Sequence, residues 1–359
     1  MHLKFEFKCK HPEVSSLSFL ILLYAGNTWS FFSNKTWHWL NYSTRCFLHA
    51  SKVTILNQGQ SAGNNSSKRI GTSETTRKSI ESNSVEMSSN GENIKLISVH
   101  VPTHTKPLSD EAFGHYLAGL IDGDGWFSKY TAFIVFNILD ASLAYYIKKR
   151  LGYGTVTKVK SKNAVLLTIT KREGLEKVLN LVNGKLRLQT KIDAINKHII
   201  DVYKEPLKLK EKLHLNSSSD LNNHWLAGFL DADGSFQIKV LDRVNPNGST
   251  RIEVRLYMQV DQKIRQLLDL IKDNFGGNIG YRKTQATYYY SSTSYGSAKK
   301  LITYLDQYHL LSSKYVNYIK WRKAYILIQS RKHLTPEGQE EIKRLKSTMN
   351  SYSKESLDL

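Results

Sequence analysis

The chain has 359 residues, with 51 Lys and Arg against 31 Asp and Glu, a formal net charge of +20. That excess excludes an acidic disordered tail and a neutral metabolic enzyme with no polyanionic partner, and points to nucleic acid or an anionic membrane surface. Apolar residues at 40% supply a core, while two cysteines, Cys9 and Cys46, leave no disulfide framework and no cysteine-based zinc site in the rest of the chain.

The first apolar run, residues 17–26 (LSFLILLYAG), is too short to span a bilayer. It follows Lys4, Lys8 and Lys10, which allows a targeting segment, while Glu6 and Glu13 count against one. Residues 57–93 are rich in Ser, Asn, Thr and Gly and offer too little apolar surface to offset their ordering entropy. Residues 1–107 are therefore expected to form a poorly ordered extension. They carry a net +6, which leaves +14 for the rest, so the folded part is basic too.

Past residue 108 the chain repeats itself. Residues 116–127 run YLAGLIDGDGWF and residues 225–236 run WLAGFLDADGSF, 109 positions later. In the first copy the pattern continues with a strand at 133–136, a helix at 140–151, a turn at Gly152-Tyr153-Gly154, and strands at 155–160 and 165–170. In the second it continues with strands at 237–240 and 251–259, a helix at 263–275, a turn at Gly276-Gly277, and strands at 279–283 and 287–292. The order αββαββα is predicted twice. Residues 204–220, charged and then Ser/Asn-rich, carry a linker. The expected organisation is an extension over 1–107, a first half over 108–207, a linker over 208–220, and a second half with C-terminal helices over 221–359.

Each motif is predicted to close a helix. Ser109 or Asp110 can cap the first, whose stripe is Phe113, Tyr116, Leu117, Leu120 and Ile121. Asp220 can cap the second, with Trp225, Leu226, Phe229 and Leu230 on its stripe. Gly119 and Gly228 sit mid-helix, where Gly costs about 1 kcal/mol relative to Ala. Close approach of a second helix accounts for that cost, so the two motif helices are expected to pack on each other. Both end in Asp-x-Asp-Gly. Carboxylates are unfavourable at a helix C-terminus, and packing would bring Asp124 and Asp233 together. A local rule broken twice at matching positions marks function. Magnesium suits a site of carboxylates, backbone carbonyls and water, and acids holding metal beside a phosphate serve in-line phosphodiester hydrolysis. A plain Asp-Gly turn would explain one copy, but not two that each close a matching apolar helix.

LAGLIDGDG and LAGFLDADG resemble the two motifs of a single-chain LAGLIDADG homing endonuclease of the organellar intron-encoded type, over roughly residues 110–350. The resemblance implies an α/β (α+β) fold of two pseudo-symmetric αββαββα halves, each laying a curved antiparallel sheet as a saddle on DNA. It implies that Asp124 and Asp233 bind magnesium, that Gly123 and Ala232 offer carbonyls, and that Asp122 and Asp231 are more structural than catalytic. It places Gln262 near the catalytic water, with Asp140 at the matching position of the first half, where an acid could orient water or cap the helix that follows. It assigns Lys191 (LQTK) and Lys314 (LSSK) to the neighbourhood of the scissile phosphate. Residues 327–350 resemble the family's C-terminal helix pair.

Strand alternation gives the face that would meet DNA. The outward set is Ser235, Gln237 and Lys239, then Arg251, Glu253, Arg255 and Tyr257, residue types that read base edges or hold phosphates. Lys129, Lys158, Lys160, Lys162, Arg282 and Lys283 are added from the first hairpin and the later strands. The first hairpin spans 13 residues (125–137) against 26 (234–259) in the second, so a long asymmetric site is expected. The reading is a monomeric, magnesium-dependent double-strand DNA endonuclease acting at an intron insertion site, with no membrane partner. The alternatives are a maturase that assists its host intron RNA, with or without cleavage, and a DNA-binding regulator that has lost catalysis. High Lys, Asn, Ile and Tyr content fits an AT-rich genome, placing the protein in the mitochondrion, or alternatively the chloroplast.

Overall fold

The computed structural model describes residues 96–244 and 246–350, and the backbone of a short antiparallel ribbon, β1 (Val85–Met87) with β2 (Asn93–Lys95). The rest of the extension lies outside the described residues. Residues 96–107 correct the expectation of disorder at its end. Ile97 is buried, and its N–H and C=O bond the Gln329 side chain at 3.0 and 2.9 Å. The Arg322 guanidinium accepts nothing but donates to the carbonyls of Ser98 and His100. An apolar anchor and an arginine fork hold this stretch, and neither shows in its polar composition.

Ser109 caps α1 (Asp110–Asp124), its hydroxyl accepting from the Ala112 N–H at 3.1 Å. Then follow β3 (Gly125–Ser128), β4 (Thr131–Asn137), α2 (Ala141–Leu151), β5 (Thr155–Lys158), β6 (Ala164–Ile169) and α3 (Arg172–Val182). A short α4 (Gln189–Ile195) runs into a π-turn at Asn196–Ile200. The second half repeats the order: α5 (Trp225–Asp233), β7 (Gly234–Val244), β8 (Thr250–Gln262), α6 (Gln266–Phe275), β9 (Asn278–Arg282), β10 (Thr287–Ser292) and α7 (Tyr295–Leu305). It then adds α8 (Lys314–Gln329) and α9 (Pro336–Ser347). The two four-stranded antiparallel sheets run β3-β4-β6-β5 and β7-β8-β10-β9, so the αββαββα order stands in both halves.

Asp220 does not cap α5. Its carboxylate accepts from Asn222 N–H, and Asn223 accepts from Trp225 N–H instead, because the helix begins five residues later than Asp220. The segment between the halves is irregular but held. Asn180 of α3 and Asn183, just past its end, bond its backbone at positions 208, 210, 211, 212 and 214, and Arg187 donates to the carbonyls of Ser218 and Asp220.

The two hairpins differ as their lengths predict. The first turns at Lys129 and Tyr130, with φ of 46° and 59°, a conformation usually left to Gly or Asn. Tyr130 is held there by its N–H on the His198 carbonyl (3.1 Å) and its hydroxyl on the Val202 carbonyl (3.2 Å). The second hairpin pairs continuously from Gly234 with Val260 to Val244 with Thr250.

Candidate active site

The site is built at the interface of α1 and α5. A Cβ on Gly119 would lie 2.0 Å from the Trp225 carbonyl oxygen, and one on Gly228 2.0 Å from that of Tyr116. The helices therefore touch backbone to backbone. Contact persists to their last turn, where a Cβ on Gly123 would stand 2.3 Å from the Ala232 Cβ and 2.9 Å from an Asp233 oxygen. The helix pairing inferred from the mid-helix glycines is thus the observed one.

Asp124 and Asp233 end these helices side by side, partly buried. Both carboxyls are held above the ordinary carboxylate range. For Asp124 the main cause is burial, opposed by the charges of Lys314 and Lys191. For Asp233 it is burial and then the charge of Asp124, opposed by Lys314, Gln262 and Lys191. The Gln262 amide donates to Asp233 at 2.6 Å. Lys191 donates to the Gly125 carbonyl at 2.6 Å, and burial lowers its pKa against the pull of Asp122, Asp233 and Asp124. Lys314 donates to the Ala232 carbonyl at 2.5 Å. The five side chains Asp124, Asp233, Gln262, Lys191 and Lys314 converge here.

Asp140 is placed differently from expectation. Gly125 pairs with Ile134 as Gly234 pairs with Val260, so the position matching Gln262 is Phe136, whose side chain is buried in the core. Asp140 lies four residues further on, in a 3-10 turn. Nor does it cap its own helix α2. It accepts from the Ser313 N–H at 2.6 Å, at the start of α8 in the other half, and its charge faces Asp124.

The first acid of each motif has a defined task. Asp122 is buried and accepts from the N–H groups of Arg187 and Leu188 (2.9 and 3.3 Å), which open the segment carrying Lys191. Asp231 accepts from the N–H groups of Leu311 and Ser312 and from the Ser312 hydroxyl, which open the segment carrying Lys314. Burial raises both carboxyls, that of Asp122 to about 6, and the hydrogen bonds oppose it. Each also takes a bond from the opposite helix. The Tyr116 hydroxyl reaches Asp231 at 2.6 Å and the Trp225 indole N–H reaches Asp122 at 2.8 Å. These two crossed bonds were missed in the sequence. Their only signal was a polar-tipped aromatic at the first position of both motifs.

On the second sheet, Ser235, Gln237 and Arg251 are exposed on the outward face. Lys239 lies over the Tyr257 ring at 4.4 Å. Glu253 pairs with Arg255 at 2.5 Å and with Arg243 at 2.7 Å, and the bond from Arg255 first, then that from Arg243, holds its carboxyl down at about 2. Arg282 pairs with Asp261 at 2.7 Å and stacks on Tyr289, and Lys283 is exposed in the following turn. Lys129 is exposed at the first hairpin tip, and Lys160 and Lys162 in the β5–β6 turn. Lys158 is exposed but pairs with core-facing Val165, so its register is that of the helix-covered side rather than the outward one.

The oxygen-rich centre fits a hard divalent cation. It holds two repelling carboxylates and the backbone carbonyls beside them. Among the described residues no group of three or more His, Cys, Asp or Glu side chains forms a metal cage.

Two pseudo-equivalent halves with paired motif helices and joined carboxylates define a double-motif nuclease architecture. A family model described as LAGLIDADG endonuclease matches residues 226–325. The chain is 50% identical to the cox1 intron-2 37.2 kDa protein of Schizosaccharomyces pombe, over 91% of this chain and 97% of that one. It is 31% identical to the intron-encoded DNA endonuclease aI3 of Saccharomyces cerevisiae, over 62% of this chain and 65% of that one. The I-LtrWI LAGLIDADG homing endonuclease bound to target DNA shares the fold, with a TM-score of 0.52 and 20% identity over 68% of this chain and 99% of that one. The chain belongs to the LAGLIDADG endonuclease family.

Proposed function

We propose that the protein is a site-specific, magnesium-dependent homing endonuclease that cuts both strands of DNA at an intron insertion site. The observation that carries this is the joining of Asp124 and Asp233 at the ends of two helices in backbone contact, each under the charge of Lys191 and Lys314. Asp124 and Asp233 would hold the metal with the carbonyls of Gly123 and Ala232. Bound magnesium would supply an activated water and neutralise charge on the phosphate. Lys314 already occupies a lone pair of the Ala232 carbonyl, so it would share or release that oxygen. The two lysines would face the negative charge that grows on the phosphate. Gln262 keeps the Asp233 carboxylate oriented, with Phe136 offering no counterpart in the first half. Lys129, Lys160, Lys162, Ser235, Gln237, Lys239, Arg251, Arg255, Arg282 and Lys283 would contact the duplex, Arg255 and Arg282 after leaving their carboxylate partners.

Asp124→Asn and Asp233→Asn should each abolish double-strand cleavage of a selected target while binding stays within a few-fold of wild type. Undiminished cutting by both variants refutes the assignment. The name of the Schizosaccharomyces pombe relative ties it to a cox1 intron, which supports a mitochondrial location and a second role as a maturase for the host intron RNA. A splicing assay with the intron transcript, with and without the Asp variants, separates the two roles.

A further inference from the structure

The outward faces of the two sheets can be compared position by position through their pairing registers. In the second half the outward row through Ser235 is Ser235, Gln259, Ser291 and Asn278, all polar. The same row in the first half is Trp126, Phe133, Thr168 and Thr155. The next row is Asp261, Tyr289 and Gly280 in the second half, and Val135, Leu166 and Thr157 in the first. No charged side chain stands on either first-half row. Trp126 is 38% exposed and stacks flat on Phe133, centroids 5.1 Å apart at 11°. Phe133, Val135 and Leu166 are half-exposed and absent from the packing of the core, so they face outward.

An apolar sheet face on a basic nuclease needs an occupant. Exposed Lys129, Lys160 and Lys162 flank it, and Trp126 lies two residues beyond Asp124, so its surroundings suit a polyanion aligned with the carboxylate centre. The apolar group that a duplex presents in its major groove is the thymine C5-methyl, which Phe rings and Thr methyls contact. We propose that the first half reads its side of the target through thymine methyl groups, packed on Phe133, Val135, Leu166 and the threonine methyls, while the second half reads by hydrogen bonds. This rests on the nuclease reading above.

The test uses the full chain and a duplex taken from in vitro selection. Thymines are replaced by deoxyuridine on one side of the cut, then on the other, and dissociation constants are measured without magnesium. One side should weaken about fourfold per buried methyl removed, and the other by less than twofold. Phe133→Ser should erase the difference on the sensitive side only. Val135→Ser, at a half-exposed position, is the second variant should Phe133→Ser fold poorly. Equal sensitivity on both sides, no sensitivity, or full discrimination retained by both variants overturns the inference. A chain that selects no duplex overturns the DNA reading itself, a distinguishable result.

Discussion

Gly119→Ala tests whether the helix interface sets the catalytic geometry. The added Cβ would lie 2.0 Å from the Trp225 carbonyl oxygen and 2.7 Å from the Phe229 nitrogen. Both are backbone atoms, so no side chain can rotate away. Restoring contact of about 3.4 Å requires the helices to part by at least about 1.4 Å, the kind of overpacking that costs about 1–3 kcal/mol. Alanine returns about 1 kcal/mol of helix propensity, so net destabilisation should be about 0–2 kcal/mol. The effect on chemistry should be larger than that on folding. A shift of about 1 Å in reacting groups can cost about a hundredfold, and Asp124 and Asp233 stand one turn further along the same contact. Urea unfolding gives the first quantity, and single-turnover cleavage at saturating enzyme, well below the unfolding temperature, gives the second. Gly296→Ala in α7 is the control, since its nearest neighbour is the Ser294 hydroxyl at 4.0 Å. A Gly119→Ala protein that unfolds and cuts like wild type would refute the argument.

Tyr116→Phe removes one donor from buried Asp231 and should cost about 1.5–3 kcal/mol in urea unfolding, the range for a hydrogen bond to a charged group. Trp225→Phe should cost a similar amount through Asp122, and both should slow cleavage with little change in DNA affinity. His224 carries a pH prediction. Burial first, then the charges of His115 and His309, lowers its pKa from 6.5 to about 4, so the folded state binds fewer protons than the unfolded one. Its stabilising contribution is therefore full above pH 6.5 and is lost as pH falls through about 4. Discounted for solvent screening it is about 1 kcal/mol. His224→Gln should flatten the fall in unfolding free energy between pH 6.5 and 4 by that amount, and an unchanged slope would refute the assignment.

Much of this site was legible because its rules are local and doubled. Gly119, Gly228 and the two Asp-x-Asp-Gly endings break helix preferences at matching places, and only contact between the helices explains both. Lys191 and Lys314 were legible through their paired spacing after leucine. Asp140 was misplaced because counting from the motif cannot see sheet register, and the shared register puts Phe136 opposite Gln262. Asp220 was misplaced because a cap is fixed by where the backbone turns, and Asn223 lies nearer that turn. Residues 96–107 were hidden because what orders them, Gln329 and Arg322, lies more than 200 positions away.

The crossed bonds change what the motif is for. Asp122 and Asp231 each join three parts: their own helix, the partner helix through Trp225 or Tyr116, and the segment that delivers a lysine. Any movement of one half against the other must therefore disturb the first acids, and through them Lys191 and Lys314. The second acids, by contrast, make few bonds, and their mutual repulsion is opposed chiefly by the charges of Lys314 and Lys191 and by the Gln262 amide on Asp233. The sheets lie outside this tie. Their outward rows can diverge, apolar in one half and polar in the other, without touching a residue that bridges the helices. A single chain can thus hold two unlike sheet surfaces around one symmetric centre, with the symmetry kept only where both halves meet.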